Sequence, residues 1–124
     1  MTSVNLELLN KVVTDSKNTL REGMLAMDIW ERATGLSLAG HNSQPVAVAL
    51  FTQVMEFLEN TLEQSGFPAL DRYFLMHMKD GHLVAIVNHG DLLQGYLLND
   101  KINLGILLSV VIPGAIKDIA AAQA

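Results

Sequence analysis

Several side chains in this 124-residue sequence have types and spacings that could do chemistry. The stretch Thr34 to Asn42 (TGLSLAGHN) places Gly35 and Gly40 as in a phosphate-binding G-x-x-x-x-G-K-[ST] loop. Such a loop needs a lysine on the phosphates and a hydroxyl on magnesium. Those positions are His41 and Asn42 here, and Leu36-Ser37-Leu38 alternates like a strand instead of forming an irregular cradle. The same spacing recurs at Gly90 to Gly95, again around a strand. Ser37 falls one residue short of a G-x-S-x-G nucleophile elbow, since Ala39 stands where the second glycine belongs. An elbow also requires its serine on a sharp strand-to-helix turn, whereas Ser37 is expected inside a strand.

The four histidines are the other candidates. Around an Asp80-Gly81 turn, Lys79 is expected to pair with His82 and His77 with Val84. His77 and His82 then become diagonal neighbours on one face, within reach of a shared metal, but Lys79 on that face opposes a cation. His89 is expected on the other face, and His41 cannot complete a serine site. Glu56, Glu59 and Glu63 line one side of a helix like half of a carboxylate metal centre. The Glu-x-x-His partners such a centre needs are missing, so a solvated face is expected. No catalytic, cofactor-binding or metal-ligating set survives, and the expected chemistry is recognition, not catalysis.

Composition agrees. Half the residues are hydrophobic and 17% are charged, which leaves apolar surface for a partner. The net charge of −5, with eight scattered basic residues, excludes the clustered cations of a nucleic-acid binder. There is no cysteine, hence no disulfide framework or thiol chemistry, which fits the cytoplasm. Glu7 and Lys11 interrupt any leader-like apolar run. The most apolar stretch, Ile102 to Ile116, carries Asn103, Ser109 and Pro113 and is shorter than the roughly 20 residues of a spanning helix, so no membrane insertion is expected.

The elements that must position these residues form one domain over residues 1–124, with no repeat or linker. Ser3 can cap a helix running to about Lys17. Gly23 to Trp30 alternates as a strand, Thr34-Gly35 turns, and Leu36 to Ala39 is a second strand. A long helix spans about Gln44 to Gln64, with Pro45 tolerated in its first turn. Two strands, Arg72 to Lys79 and His82 to His89, flank the Asp80-Gly81 turn. A fifth strand is Leu92 to Leu98, and a last helix runs from about Ile102 to Ala122, kinked near Ser109 to Pro113. Tight turns between neighbours make the sheet antiparallel and the class α+β. Both faces of the strands are apolar, so helices must cover both. Asp28 sits in an otherwise apolar strand, beside either a helix terminus or a partner.

The long helix is apolar over an arc of roughly 200°, twice what one sheet contact requires. Val48, Phe51, Met55 and Leu62 are placed on the excess side, which either loops or the end of another helix cover or, the favoured reading, a second subunit meets. Thr52, Gln53, Glu56, Glu59, Asn60 and Glu63 fill the remaining polar arc. A second reading is a sensory module that binds a small apolar ligand between sheet and helices, lined by adaptable Met24, Met27, Met76 and Met78.

The whole pattern resembles the Roadblock family of dynein light chains and their prokaryotic relatives. The resemblance is carried by GMLAMDIWERATGLSLAG, VAVALFTQVMEFLENTLEQSG, RYFLMHMKDGHLVAIVNHGD and NDKINLGILLSVVIPGAIKDI, the last with Asn103-Leu104-Gly105 opening the final helix. Pro113 departs from the family pattern. The resemblance implies a profilin-like α/β/α sandwich around a five-stranded antiparallel sheet of order 2-1-5-4-3. The long helix lies on one face and the terminal helices on the other. It also implies a homodimer joined through the long helix and the third strand. That places contacts on Val48, Phe51, Met55 and Leu62, and on Tyr73, Phe74, Leu75, Met76 and Met78. Finally it implies a non-enzymatic scaffold or regulator of a small Ras-like GTPase, needing no cofactor.

Overall fold

The computed structural model describes residues 3–124. The chain runs α1 (Leu6–Leu20), β1 (Met24–Glu31), β2 (Ser37–His41), α2 (Pro45–Ser65), β3 (Tyr73–His77), β4 (Leu83–Asn88) and β5 (Leu92–Leu98). It ends in one long helix, α3 (Leu104–Ala122). The sheet order is β2-β1-β5-β4-β3, and every neighbouring pair is antiparallel, as expected.

The two faces of the sheet build two cores. On one, Leu9, Val12, Val13 and Leu20 of α1 and Leu107, Val111, Ile112 and Ile119 of α3 pack over Met27, Ile29, Val87 and Tyr96. On the other, Val48 and Met55 of α2 pack over Trp30, Val84, Ile86 and Leu93. The strands therefore carry apolar side chains on both sides because both sides are covered.

Local differences from expectation have local causes. Asn5, not Ser3, caps α1, its Oδ1 accepting from the Leu8 amide at 3.2 Å. Pro113 does not simply kink α3. A single π turn, Leu107–Val111, precedes it, with the Ile112 amide donating back to the Leu107 carbonyl. The wider turn puts Pro113 in the first positions of the α-helical segment Ile112–Ala122 and so accommodates it without ending the helix. The apolar stretch is also longer than the Ile102–Ile116 run. Its 19-residue helix is long and apolar enough to cross a bilayer by length and composition, and here its inner stripe is packed into the core.

The hairpin joining β3 to β4 has the positive φ angles of a primed turn at Asp80 and Gly81. However, it closes around three residues: Met78 donates to the His82 carbonyl at 2.8 Å, and His77 pairs with Leu83. The register is one residue away from the expected Lys79–His82 pairing. A one-residue slip moves every side chain to the opposite face. His77 and His82 thus lie on different faces and cannot share a metal, and no group of metal-ligating residues forms among the described residues.

One polar chain crosses the core beneath α1. His89 Nε2 donates to Gln94 Oε1 (2.9 Å), Gln94 Nε2 to Tyr96 Oη (2.7 Å), and Tyr96 Oη lies 3.3 Å from Ser16 Oγ. Gln94, Tyr96 and Ser16 are almost wholly buried. Burial pushes the Tyr96 phenol up to about 12 and holds the His89 imidazole below its ordinary 6.5, with the Arg72 charge acting the same way and the Gln94 hydrogen bond offsetting part of it. The unfolded chain therefore binds the His89 proton more readily than the folded one. This contribution to stability is complete above about pH 6.5 and is lost as pH falls through the folded-state value. Urea unfolding at pH 7.5 and pH 5.5 should show a larger loss for the wild type than for His89→Gln, which keeps an amide donor toward Gln94. Equal losses would remove His89 as the source.

Candidate interaction site

The site begins with a carboxylate. Asp28, 5% exposed in the middle of β1, accepts at Oδ1 from Ser37 Oγ (2.8 Å) and Ser43 Oγ (2.6 Å), and at Oδ2 from the Gln44 amide (3.0 Å). Gln44 is the N-cap of α2, and its own side chain makes no capping bond. Asp28 supplies the cap from the neighbouring strand, and its charge faces the positive end of the helix dipole. Of the two locations open to Asp28 from sequence, the helix terminus is the one found. Ser37 and Ser43 are occupied in this cap, so the Ser37 motif is an anchor rather than a nucleophile. Gly40 leaves the space: a Cβ there would lie 2.6 Å from both Asp28 Oδ1 and Ser43 Oγ.

Two further contacts fix the rotation of α2. Trp30 Nε1 donates to Thr52 Oγ1 at 2.8 Å, and Arg32 Nη2 donates to Glu59 Oε1. Thr52 and Glu59 therefore belong to the inner side of the helix and not to the solvated arc; Glu56 and Glu63 do remain exposed.

This rotation corrects the expected placement of Val48, Phe51, Met55 and Leu62. Val48 is 5% exposed and Met55 fully buried, both against the chain's own sheet, with Phe51 packed beside them. Leu62 is half-buried. At about 100° per residue, Val46, Leu50 and Phe57 lie roughly opposite that stripe, and they are 83%, 51% and 68% exposed. The helix has the excess apolar surface inferred from its arc, but the two sides are exchanged.

The sheet also leaves a strand open. β3 pairs only with β4 and is an edge of the sheet. Tyr73, Phe74, Leu75 and Met76 are half-buried, Phe74 and Met76 against the α2 core, Tyr73 and Leu75 against the other. Met78 is 41% exposed just beyond the strand, and Phe67, in the connection from α2, is 70% exposed. Phe67 was missed from sequence because it follows the helix-ending Gly66; an aromatic outside any periodic element was the available signal. Between α2 and the sheet, beside Phe51 and Gly95, lies a cavity of about 70 Å³. Small-molecule sites run to roughly 300–1,000 Å³, so this space does not favour the sensory reading.

No family model matches the sequence, and no curated protein matches it. Solved structures do match. The gliding protein MglB from Thermus thermophilus has a TM-score of 0.79 at 12% identity, over 99% of this chain and 93% of that one. Myxococcus xanthus MglB gives 0.79 at 10% identity, over 98% and 91%. A Roadblock/LC7 domain from Streptomyces avermitilis gives 0.67 at 11% identity, over 90% and 94%.

Asp28→Ala should cost about 2–3 kcal/mol, because it strands two hydroxyls and a helix-terminal amide that bonded a charge. Chemical denaturation measures this, and a loss below about 0.5 kcal/mol would show that α2 does not depend on its cap from β1. The structural likeness and the sheet order together place this chain in the Roadblock fold shared by MglB and Roadblock/LC7 domains.

Proposed function

We propose that this protein is a non-enzymatic, homodimeric regulator of the cytoplasm that binds a small Ras-like GTPase or its signalling complex. The observations that carry the self-association are the exposed Val46, Leu50 and Phe57 stripe of α2 and the open edge of β3. Scattered exposed apolar residues are ordinary, but a stripe along one helix face offers hydrophobic burial, and an unpaired edge strand offers backbone hydrogen bonds. In the proposed dimer, the α2 stripes pack together and the β3 edges, Tyr73 to Met78, approach each other. Val48, Phe51, Met55 and Leu62 support the interface from beneath. A likeness to a structure described as MglB with a tetrameric arrangement supports association of this fold. The GTPase partner is supported by the Roadblock resemblance and by the fold shared with MglB.

The interface is tested with a pair of variants. Phe57→Glu introduces a charge on an exposed surface and should leave the melting temperature of the monomer nearly unchanged while converting a dimer to a monomer in sedimentation velocity. Met55→Glu buries a charge in the chain's own core and should destabilise the fold by several kcal/mol. A monomeric wild type, or a Phe57→Glu protein that dimerises normally, overturns the proposed interface. The partner is tested by titrating purified small GTPases of the native host, in GDP and GTP forms, against the wild type and following binding and GTP hydrolysis. No binding by any of them overturns that part.

A further inference from the structure

Arg21 ends α1 in a backbone conformation, φ 52° and ψ −129°, that side chains rarely adopt. Glycine is the usual residue at such a helix end, since it has no Cβ to strain. The turn that follows is held from elsewhere: the Asn99 side chain donates to the Glu22 carbonyl at 2.8 Å, and the Asn99 amide to the Gly23 carbonyl at 3.0 Å. The Arg21 side chain is exposed and forms no ion pair among the described residues. The turn thus has its backbone partners, the Arg21 amide bonding the Lys17 carbonyl among them, but the Arg21 side chain gains no contact within the described residues that would favour arginine over glycine here.

Arg21 opens onto a cleft of about 630 Å³ between the end of α1 and β2, with Lys17, Asn18 and His41 around it and Glu22 as its one acid. Lys17 is also exposed and free of ion pairs among the described residues. A second positive-φ residue, Asn42 (φ 51°), adjoins the cleft, its side-chain amide donating to the Leu25 carbonyl at 3.0 Å and facing His41. Among the described residues the remaining non-glycine residue of this kind, Asp80, lies in a hairpin turn that calls for it. Lys17 and Arg21 do complement the negative end of the α1 dipole, but dipole complementarity does not require a strained backbone.

We propose that this cleft is a docking site for an acidic segment of a partner protein, and that Arg21 keeps its costly conformation because its guanidinium binds that segment. Carboxylates suit a planar, forked donor beside a flexible ammonium. On a chain of overall charge −5, Lys17 and Arg21 form a local pair of bases without ion pairs among the described residues, a place where an acidic segment can meet complementary charge. The cleft lies by β2, at the opposite edge of the sheet from β3, so it is separate from the proposed dimer surface and its failure would leave that reading intact.

The test uses the full chain and a labelled twelve-residue peptide of Glu, Asp and Gly. Arg21→Gly should raise the melting temperature and weaken peptide binding by roughly two- to fivefold, the range an exposed charge pair supplies. Arg21→Glu should weaken it further. Amide NMR shifts on titration should centre on Lys17, Arg21 and His41. Equal binding by Arg21→Gly, a melting temperature that does not rise, or shifts located elsewhere would each overturn the proposal. Inorganic phosphate serves as the second probe. Shifts with phosphate at these residues but none with the peptide would assign the cleft to a phosphorylated ligand and overturn the acidic-segment occupant.

Discussion

Burying a carboxylate without hydrogen-bond partners is costly, and at Asp28 that cost is offset because three donors converge on it from two later segments of the chain. Ser37 comes from β2, and Ser43 and Gln44 from the start of α2. The bond to Gln44 fixes where the helix begins, and the helix start fixes its axial position over the sheet. Trp30 and Arg32, two and four residues further along the chain, then fix its rotation through Thr52 and Glu59. Three side chains of β1 and its end thus hold α2 at its start, in its second turn and beyond its middle. The orientation of the apolar stripe follows from these contacts.

Much of this architecture was legible in the sequence. Period-two runs, tight turns and an amphipathic long helix were enough for the element order, and the Roadblock resemblance supplied the strand order. Asp28 stood out as a charge in an apolar strand. Two things were hidden, and both are matters of phase. The rotation of α2 could not be read from an arc apolar across roughly 200°, because either side could meet a sheet. The contacts that decide it are polar, Trp30 with Thr52 and Arg32 with Glu59, and they join residues more than twenty positions apart. The β3–β4 register depended on whether the Asp80-Gly81 turn holds two residues or three, and these residues occupy positive φ in both arrangements.

Pro113 shows a third kind of hidden information. Periodicity alone indicates a break or bend there. The structure instead inserts one turn of wider helix ahead of it, so that the core stripe of α3 changes phase without leaving the sheet: Leu107, Val111 and Ile112 precede the proline, and Ala115, Ile119 and Ala122 follow it, all buried. A departure from the family pattern is thus absorbed locally while the layer it belongs to is kept.

Trp30 is the chain's only tryptophan. Its ring edge lies over Gly95, where a Cβ would come within 3.3 Å of it, and its one polar atom is bonded to α2. The indole is therefore an intrinsic optical probe seated at the contact between the sheet and the helix. Loosening of α2 would break the bond to Thr52, admit water to the ring and shift its emission to longer wavelengths, while changes confined to α1 and α3 on the far side of the sheet would leave it largely silent. In solution, the seating of this helix can be followed by its own fluorescence, without any label.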